Sequence, residues 1–168
     1  VGHDTGVKVM QGIQQNCPDD EQVGAFNVPS YMQFLLHNKF LGNKTGQGFY
    51  KKGEGKDQKG STIFLSLNLK TLQYEMDPRM DLPSLKLSKQ IDDVEARIRA
   101  IYQSTDAGGQ LIKNHLLGLF AYVSHRVPEI TDRLSSIDDA LKAGFAWSYG
   151  PFEYWDIIGV RKGIEDAK

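Results

Sequence analysis

A single cysteine, Cys17, and four scattered histidines set the first limits on this 168-residue chain. One cysteine cannot form an internal disulfide, and the expected compartment is a reducing one, the cytoplasm. Pro18, Asp19, Asp20 and Glu21 follow it, surroundings that disfavour a thiolate, so a buried or incidental thiol is expected rather than a nucleophile. His3, His37, His115 and His125 show neither His-x-x-x-His nor Cys/His ligand spacing, which removes the usual metal sites. Charge of one sign is also missing. With 20 Lys+Arg against 21 Asp+Glu, the net charge is -1 and makes no case for nucleic acid or an anionic membrane as partner. The longest apolar run, near Leu116 to Val123, is about a third of what a membrane span needs. No secretory signal opens the chain, which begins at Val1 in a Gly2-His3-Asp4-Thr5 turn and reads as a piece of something longer.

What is present is ordinary in amount, with 40% apolar and 24% charged residues, enough for one compact domain or two very small ones. The most specific stretch is Leu41-Gly42-Asn43-Lys44-Thr45-Gly46-Gln47-Gly48-Phe49-Tyr50. Three glycines in seven positions imply a tightly specified turn, with positive φ or close backbone approach. A phosphate loop requires Gly-Lys-Ser/Thr where a helix begins. Here Lys44-Thr45 follows Asn43, and the segment beyond reads as strand, which excludes that loop. Gly53-Glu54-Gly55 starts a dinucleotide fingerprint but has Gln58 where the third glycine belongs. Gly55 to Gly60 has the phosphate-loop interval but Ser61 in place of lysine. No strand–glycine turn–helix unit with a downstream acidic residue is present, so no Rossmann half-domain is expected.

Around that turn the pattern is mainly helical. Residues 5–16 carry Val9, Met10 and Ile13 on one helical face, and Ser30 is expected to cap a helix bearing Tyr31, Phe34 and Leu35. Phe49 to Lys52, Thr62 to Asn68 and Gln73-Tyr74-Glu75 predict a small antiparallel β-meander, with a polar loop at Gly53 to Gly60. Residues 1–77 thus form a first region. Residues 78–87, extended and punctuated by proline, read as a linker, and 88–168 as a second region. There Ser88 is expected to open a helix with Ile91, Val94, Ile98 and Ile101 at helical spacing, broken by Gly108-Gly109. An apolar helix over 110–126, closed by Pro128, predicts burial on most sides. Ser136 precedes a helix with Asp138 and Asp139 in its first turn and Ala140, Leu141 and Phe145 facing inward. Gly150-Pro151 restarts a helix with Glu153 in the first turn and Phe152, Trp155 and Ile158 toward the core.

Few residues invite chemistry. Asp138-Asp139 and Asp92-Asp93 are paired carboxylates that helix first turns already explain. His115 in its apolar helix reads as a satisfied or surface histidine. The basic hairpin of Lys51, Lys52, Lys56 and Lys59, set against Glu54 and Asp57, could meet a phosphate or form a solvated loop tip.

Two segments together identify a resemblance. Leu41 to Tyr50 resembles the Leu-Gly-x-Lys-Thr-Gly-x-Gly-Phe-Tyr signature that ends the C-terminal domain of 3-hydroxyacyl-CoA dehydrogenases. Ser136 to Gly159, with Ile137-Asp138, Ala140-Leu141, Gly144-Phe145, Gly150-Pro151-Phe152, Asp156 and Gly159, is similar to that family's helix pair. In one family domain the helix pair comes first and the glycine turn later. The reversed order here is similar to the tail of one repeat followed by the head of a second, as in bifunctional fatty-acid oxidation proteins that add an enoyl-CoA hydratase module. Gly2 and Gly159 would then occupy matching places.

The resemblance implies a mainly α fold, a helical bundle with the small β-meander. It implies a parent that oxidises a (3S)-3-hydroxyacyl-CoA with NAD as hydride acceptor, using a histidine–glutamate pair and a glycine fingerprint of an NAD-binding domain absent from these residues. No catalytic, cofactor-binding or metal residue is therefore assigned here, and no NAD or NADH binding is expected of this chain by itself. Implied partners are the parent's NAD-binding domain and acyl-CoA substrate, and exposed apolar surface predicts self-association. Asn114 corresponds to an asparagine that assists at the substrate in the family's first repeat, with His115 where arginine is usual; packing is the expected role. Whether Asn114 or the Lys51 to Lys59 loop contacts CoA is open. A non-catalytic oligomerisation or interaction module derived from such a domain is the competing reading.

Overall fold

A computed structural model describes residues 2–76 and 80–168, so Pro78 and Arg79 of the expected linker lie outside the described residues. The described chain is 59% helical, with eight α-helices and one three-stranded antiparallel sheet, as the mainly α expectation required. It divides into two compact units, Val1–Arg79 and Met80–Lys168.

The first unit opens with α1 (His3–Asn16), which starts two residues before the periodicity indicated because Gly2 takes an extended N-cap conformation. Cys17 is the C-cap of α1, with its N–H donating to the Ile13 carbonyl at 2.8 Å; the thiol is exposed. Ser30 is not a cap. Pro29 holds the N-cap position and Ser30 is the first residue of α2 (Ser30–His37). A proline there pre-sets the extended backbone that a cap needs but brings no side-chain acceptor.

The sheet follows in the order β1 (Tyr50–Lys56), β2 (Thr62–Leu67), β3 (Tyr74–Met76). Gly53 to Lys56 was expected as loop, yet β1 continues through it, with a register irregularity between Lys52 and Lys56. Gly55 takes φ +82° inside that irregularity, a bulge that only glycine adopts without strain. The hairpin tip is closed by Asp57, whose carboxylate accepts the N–H groups of Lys59 and Ser61 at 2.9 and 2.8 Å. Buried Val7, Leu35 and Leu67 mark the apolar interior of this unit.

The second unit holds α3 (Pro83–Ser88), α4 (Val94–Gln103), α5 (Ala107–Ile130), α6 (Leu134–Phe145), α7 (Pro151–Ile158) and α8 (Val160–Asp166). Several boundaries differ from the sequence expectation for identifiable reasons. Residues 83–87, expected as extended linker, lie in α3, with Pro83 at the start, where its missing N–H costs nothing. Ser88 therefore ends a helix rather than opening one. The next begins at Val94 because the Asp93 carboxylate accepts the Ala96 N–H at 2.6 Å. Gly108-Gly109 does not break the chain. It lies in the first turn of α5, where Asp106 caps by accepting the Gly109 N–H at 2.8 Å and also holds the Ser84 N–H at 2.8 Å. Pro128 does not close α5, which runs on to Ile130; near a helix end, proline removes a single donor.

The core of this unit is Tyr102, Leu116, Phe120 and Ile158, with Ile98, Leu117, Leu119, Tyr154 and Trp155 packed against it. Phe120 and Trp155 stack in parallel at 4.9 Å. Burial of each large side chain contributes about 1.5–3 kcal/mol. The expectation that α5 is buried on most sides fails. Leu116, Phe120 and Val123 form one inward stripe, while Leu111 and Ile130 are each 69% exposed. Ala140 and Phe145, expected inward, are exposed; in α6 the buried residue is Asp138.

Candidate functional site

Each sequence motif builds a corner of its own unit. In the first, Gly42 and Gly46 take φ +96° and +73°, so the chain reverses tightly and the Gly42 N–H donates to the Gln47 carbonyl at 2.8 Å. The Thr45 hydroxyl sits inside the reversal, accepting the Leu41 N–H at 2.9 Å beside the Gly42 and Gln47 carbonyls. Lys44 reaches back to α1 and pairs with Asp4 at 2.6 Å, a contact that holds the Asp4 carboxyl below its ordinary value. Gly48 is buried against Gly42 and His3. A Cβ there would lie 2.8 Å from both the Gly42 Cα and the His3 Nε2, closer than side-chain carbons approach. His3 meets Phe49 edge-to-face at 4.8 Å, and the Tyr74 hydroxyl donates to the Gly48 carbonyl. Lysine, threonine and the glycines of this motif are thus each used in closing the turn.

The second motif joins α6 to α7. Gly150 is the N-cap of α7 and has no side chain to satisfy the first-turn donors. Asp138 of α6 takes that role, its Oδ1 accepting the Phe152 N–H at 2.8 Å. Glu153 completes the reciprocal half, accepting the Gly150 N–H at 2.7 Å. The result is a capping box whose two acceptors come from different helices. A Cβ on Gly150 would collide with Asp138, so glycine is required for the approach. Lys142 bridges Glu153 at 2.7 Å and Asp139 at 3.3 Å. Its hydrogen bond holds the Glu153 carboxyl below the ordinary range, whereas burial pushes Asp138 above it against the pull of the Phe152 N–H. Asp138 was expected as a first-turn helix acid. In the fold it lies in the second turn of α6, and its acceptor is spent on another helix.

A third polar cluster holds α8. Asp166 accepts from the Tyr102 hydroxyl at 2.9 Å and pairs with Lys113 at 3.0 Å and Lys162 at 3.1 Å, which brings its pKa down to about 2. Sequence periodicity gave no sign of this cluster, because its members come from α4, α5 and α8.

The candidate ligand residues are dispersed. Asn114 is exposed on α5, and His115, also exposed, lines an apolar cavity of about 320 Å³ with Ile98, Trp147 and Tyr154. Of the basic hairpin, the Lys51 ammonium lies 4.6 Å over the Tyr74 ring, while Lys52, Lys56 and Lys59 are exposed. Among the described residues no group of His, Cys, Asp and Glu could hold a metal ion, and no helix is long and apolar enough to cross a membrane. A second cavity, of about 590 Å³, borders the glycine turn and the open face of β1 and β2.

Fold and motifs together describe a mainly helical protein in which the two segments that resemble 3-hydroxyacyl-CoA dehydrogenase signatures fold as structural corners. The chain is 36% identical over 165 residues, 98% of its length, to a probable 3-hydroxyacyl-CoA dehydrogenase of Bacillus subtilis (strain 168), of which it covers 20%. It is 23% identical over 91% of its length to a putative fatty acid oxidation complex trifunctional enzyme of Rickettsia felis, and 24% identical over 97% to that of Rickettsia prowazekii. No family model and no solved structure matches it. The chain spans about a fifth of the length of these curated relatives. The similarity drawn from the two motifs to the C-terminal region of 3-hydroxyacyl-CoA dehydrogenases therefore extends over nearly every residue of the chain.

Proposed function

We propose that this chain is the helical C-terminal region of an NAD-dependent (3S)-3-hydroxyacyl-CoA dehydrogenase acting in cytoplasmic fatty-acid β-oxidation. Its work there is to close the substrate cleft and pack against the parent's other domains. The observation that carries this reading is the 36% identity spread over 98% of the chain, to a probable dehydrogenase five times as long. The tail-then-head order of its two corners is the arrangement that tandem repeats would produce, with residues 1–77 and 88–168 belonging to different repeats. In the parent, a histidine base outside these residues takes the hydroxyl proton as hydride passes to NAD. The exposed apolar residues Leu111, Ile130 and Phe145, each 69% exposed, are suited to packing of this kind and to self-association of the isolated chain.

A domain exchange tests the reading. The corresponding fifth of the Bacillus subtilis relative is replaced by this chain, and 3-hydroxyacyl-CoA-dependent NADH formation is followed. Retained turnover, and its absence from the chain alone, are expected. A chimera that folds and binds NAD yet turns over no 3-hydroxyacyl-CoA, beside an active parent, overturns it.

A further inference from the structure

The second unit contains a cavity whose chemistry its packing does not account for. Ile98 and Ile101 of α4, with Ile112 and Leu119 of α5, form aliphatic walls. Trp147 and Tyr154 add an aromatic corner, the two rings meeting edge-to-face at 6.4 Å and 76°. No Lys, Arg, Asp or Glu is among the lining residues, and the exposed His115 is the one titratable group there besides Tyr154. The volume is about 320 Å³. An engineered apolar cavity of about half that size, ~150 Å³, holds one benzene. Against these walls one group stands out. Tyr154 is half-buried, yet its hydroxyl has no hydrogen-bond partner among the described residues. A tyrosine hydroxyl that leaves water ordinarily finds one. The oxygen is not sealed within the fold, so it keeps surface from which to donate. Burial, and after it the neighbouring Tyr149, hold this phenol above its ordinary value, so it remains a neutral donor.

We propose that this cavity binds a neutral, planar, two-ring aromatic molecule carrying one carbonyl oxygen. Each part of that description answers to a feature of the walls. The volume takes two fused rings where about half of it takes one. The Trp147–Tyr154 corner offers ring faces and edges to a flat guest, contacts that add to simple burial of area. The carbonyl accepts the Tyr154 hydrogen and is the partner that the hydroxyl lacks. Neutrality follows from the lining. A carboxylate or phosphate would give up its hydration there with no lysine or arginine to receive it. That sets the site apart from one for an acyl-CoA or a fatty acid. It stands whether or not the chain serves a dehydrogenase.

Calorimetric titration of the whole chain with chromone, a two-ring ketone, provides the test, beside naphthalene, 1-naphthoate and octanoate. Saturation by chromone is expected, with naphthalene weaker by about two- to tenfold, the worth of one neutral hydrogen bond. The two carboxylates should not saturate. Tyr154→Phe keeps the ring and removes the hydroxyl, so chromone should fall to the affinity of naphthalene while naphthalene itself is unchanged. Ile112→Glu, at a partly exposed position, sets a charge against the apolar wall and should weaken both neutral ligands about tenfold or more. No saturation by chromone, equal chromone binding by Tyr154→Phe, or either carboxylate binding as tightly as chromone would each overturn the site. Loss of naphthalene binding in Tyr154→Phe would overturn the role of the hydroxyl. Chromone failing to bind while Ile112→Glu abolishes self-association also overturns the site, the cavity then being covered by a second copy of the chain.

Discussion

The two signature corners solve the same problem, a sharp chain reversal around glycine, by different means. The turn at Leu41 to Tyr50 is closed by its own short-range hydrogen bonds through Thr45, and its longer tie, Lys44 to Asp4, is largely exposed. The Asp138–Gly150 corner depends on a buried carboxylate delivered by another helix. The first corner is therefore tolerant at its rim and strict only where Gly48 meets Gly42 and His3. The second is strict at its centre, because removing Asp138, or filling the space at Gly150 that it occupies, takes away one of the two acceptors that cap α7. Local contacts spread a stability contribution over many weak bonds, whereas a buried cross-helix contact concentrates it in one.

The contrast is open to measurement, aided by the location of both tryptophans, Trp147 and Trp155, in the second unit. Gly150→Val has the largest expected effect. The added side chain must displace Asp138, so denaturant unfolding followed by tryptophan fluorescence should lose about 3 kcal/mol. An unfolding midpoint unchanged from the parent chain would mean that the corner is not close-packed.

Asp138 gives an intermediate effect. Asp138→Ala removes the acceptor for Phe152 and should cost about 1–2 kcal/mol, while Asp138→Asn, which keeps an amide oxygen, should retain most of it. The pH signs oppose one another here. Asp138 titrates above its unfolded value, so its contribution is fullest in acid and is lost as pH rises through the elevated folded value. Glu153 titrates below its unfolded value, so its contribution is present above that value and lost as pH falls through the depressed one. Stability of Asp138→Asn measured from mild acid to neutrality should therefore fall less with rising pH than that of the parent chain. A steeper fall would reverse the assignment. The smallest effect belongs to the first corner: Lys44→Ala breaks a largely exposed ion pair and should cost the least of these changes, read by hydrogen exchange of α1 amides. A loss as large as that of Gly150→Val would erase the difference between the corners.

Much of this architecture was legible in the residues, and the misses have physical causes. The glycine turn, the meander and the Gly150-Pro151 restart were readable because their signals are local: positive-φ glycines, period-two alternation, and proline with glutamate at a helix start. The errors at Ser88, Gly108-Gly109 and Pro128 share another cause. Propensity marks those residues as breaks, but caps from Asp93 and Asp106 moved the boundaries, and Pro128 falls where a lost donor matters little. Asp138 was misplaced because an acidic residue near a helix start already has a local explanation. Its real partner, the Phe152 N–H, is fourteen residues away.

The sequence by itself determined the resemblance to 3-hydroxyacyl-CoA dehydrogenases, the mainly helical class and the rejection of a phosphate loop, because these depend on residue order and short-range backbone chemistry. Only the tertiary structure decided that Asp138 caps a helix it does not belong to and that Asp166 gathers Tyr102, Lys113 and Lys162. It alone placed Ile98, Ile112, Trp147 and Tyr154 around one cavity. Those are contacts between residues far apart in the chain, and no local preference encodes which distant side chain arrives to make them.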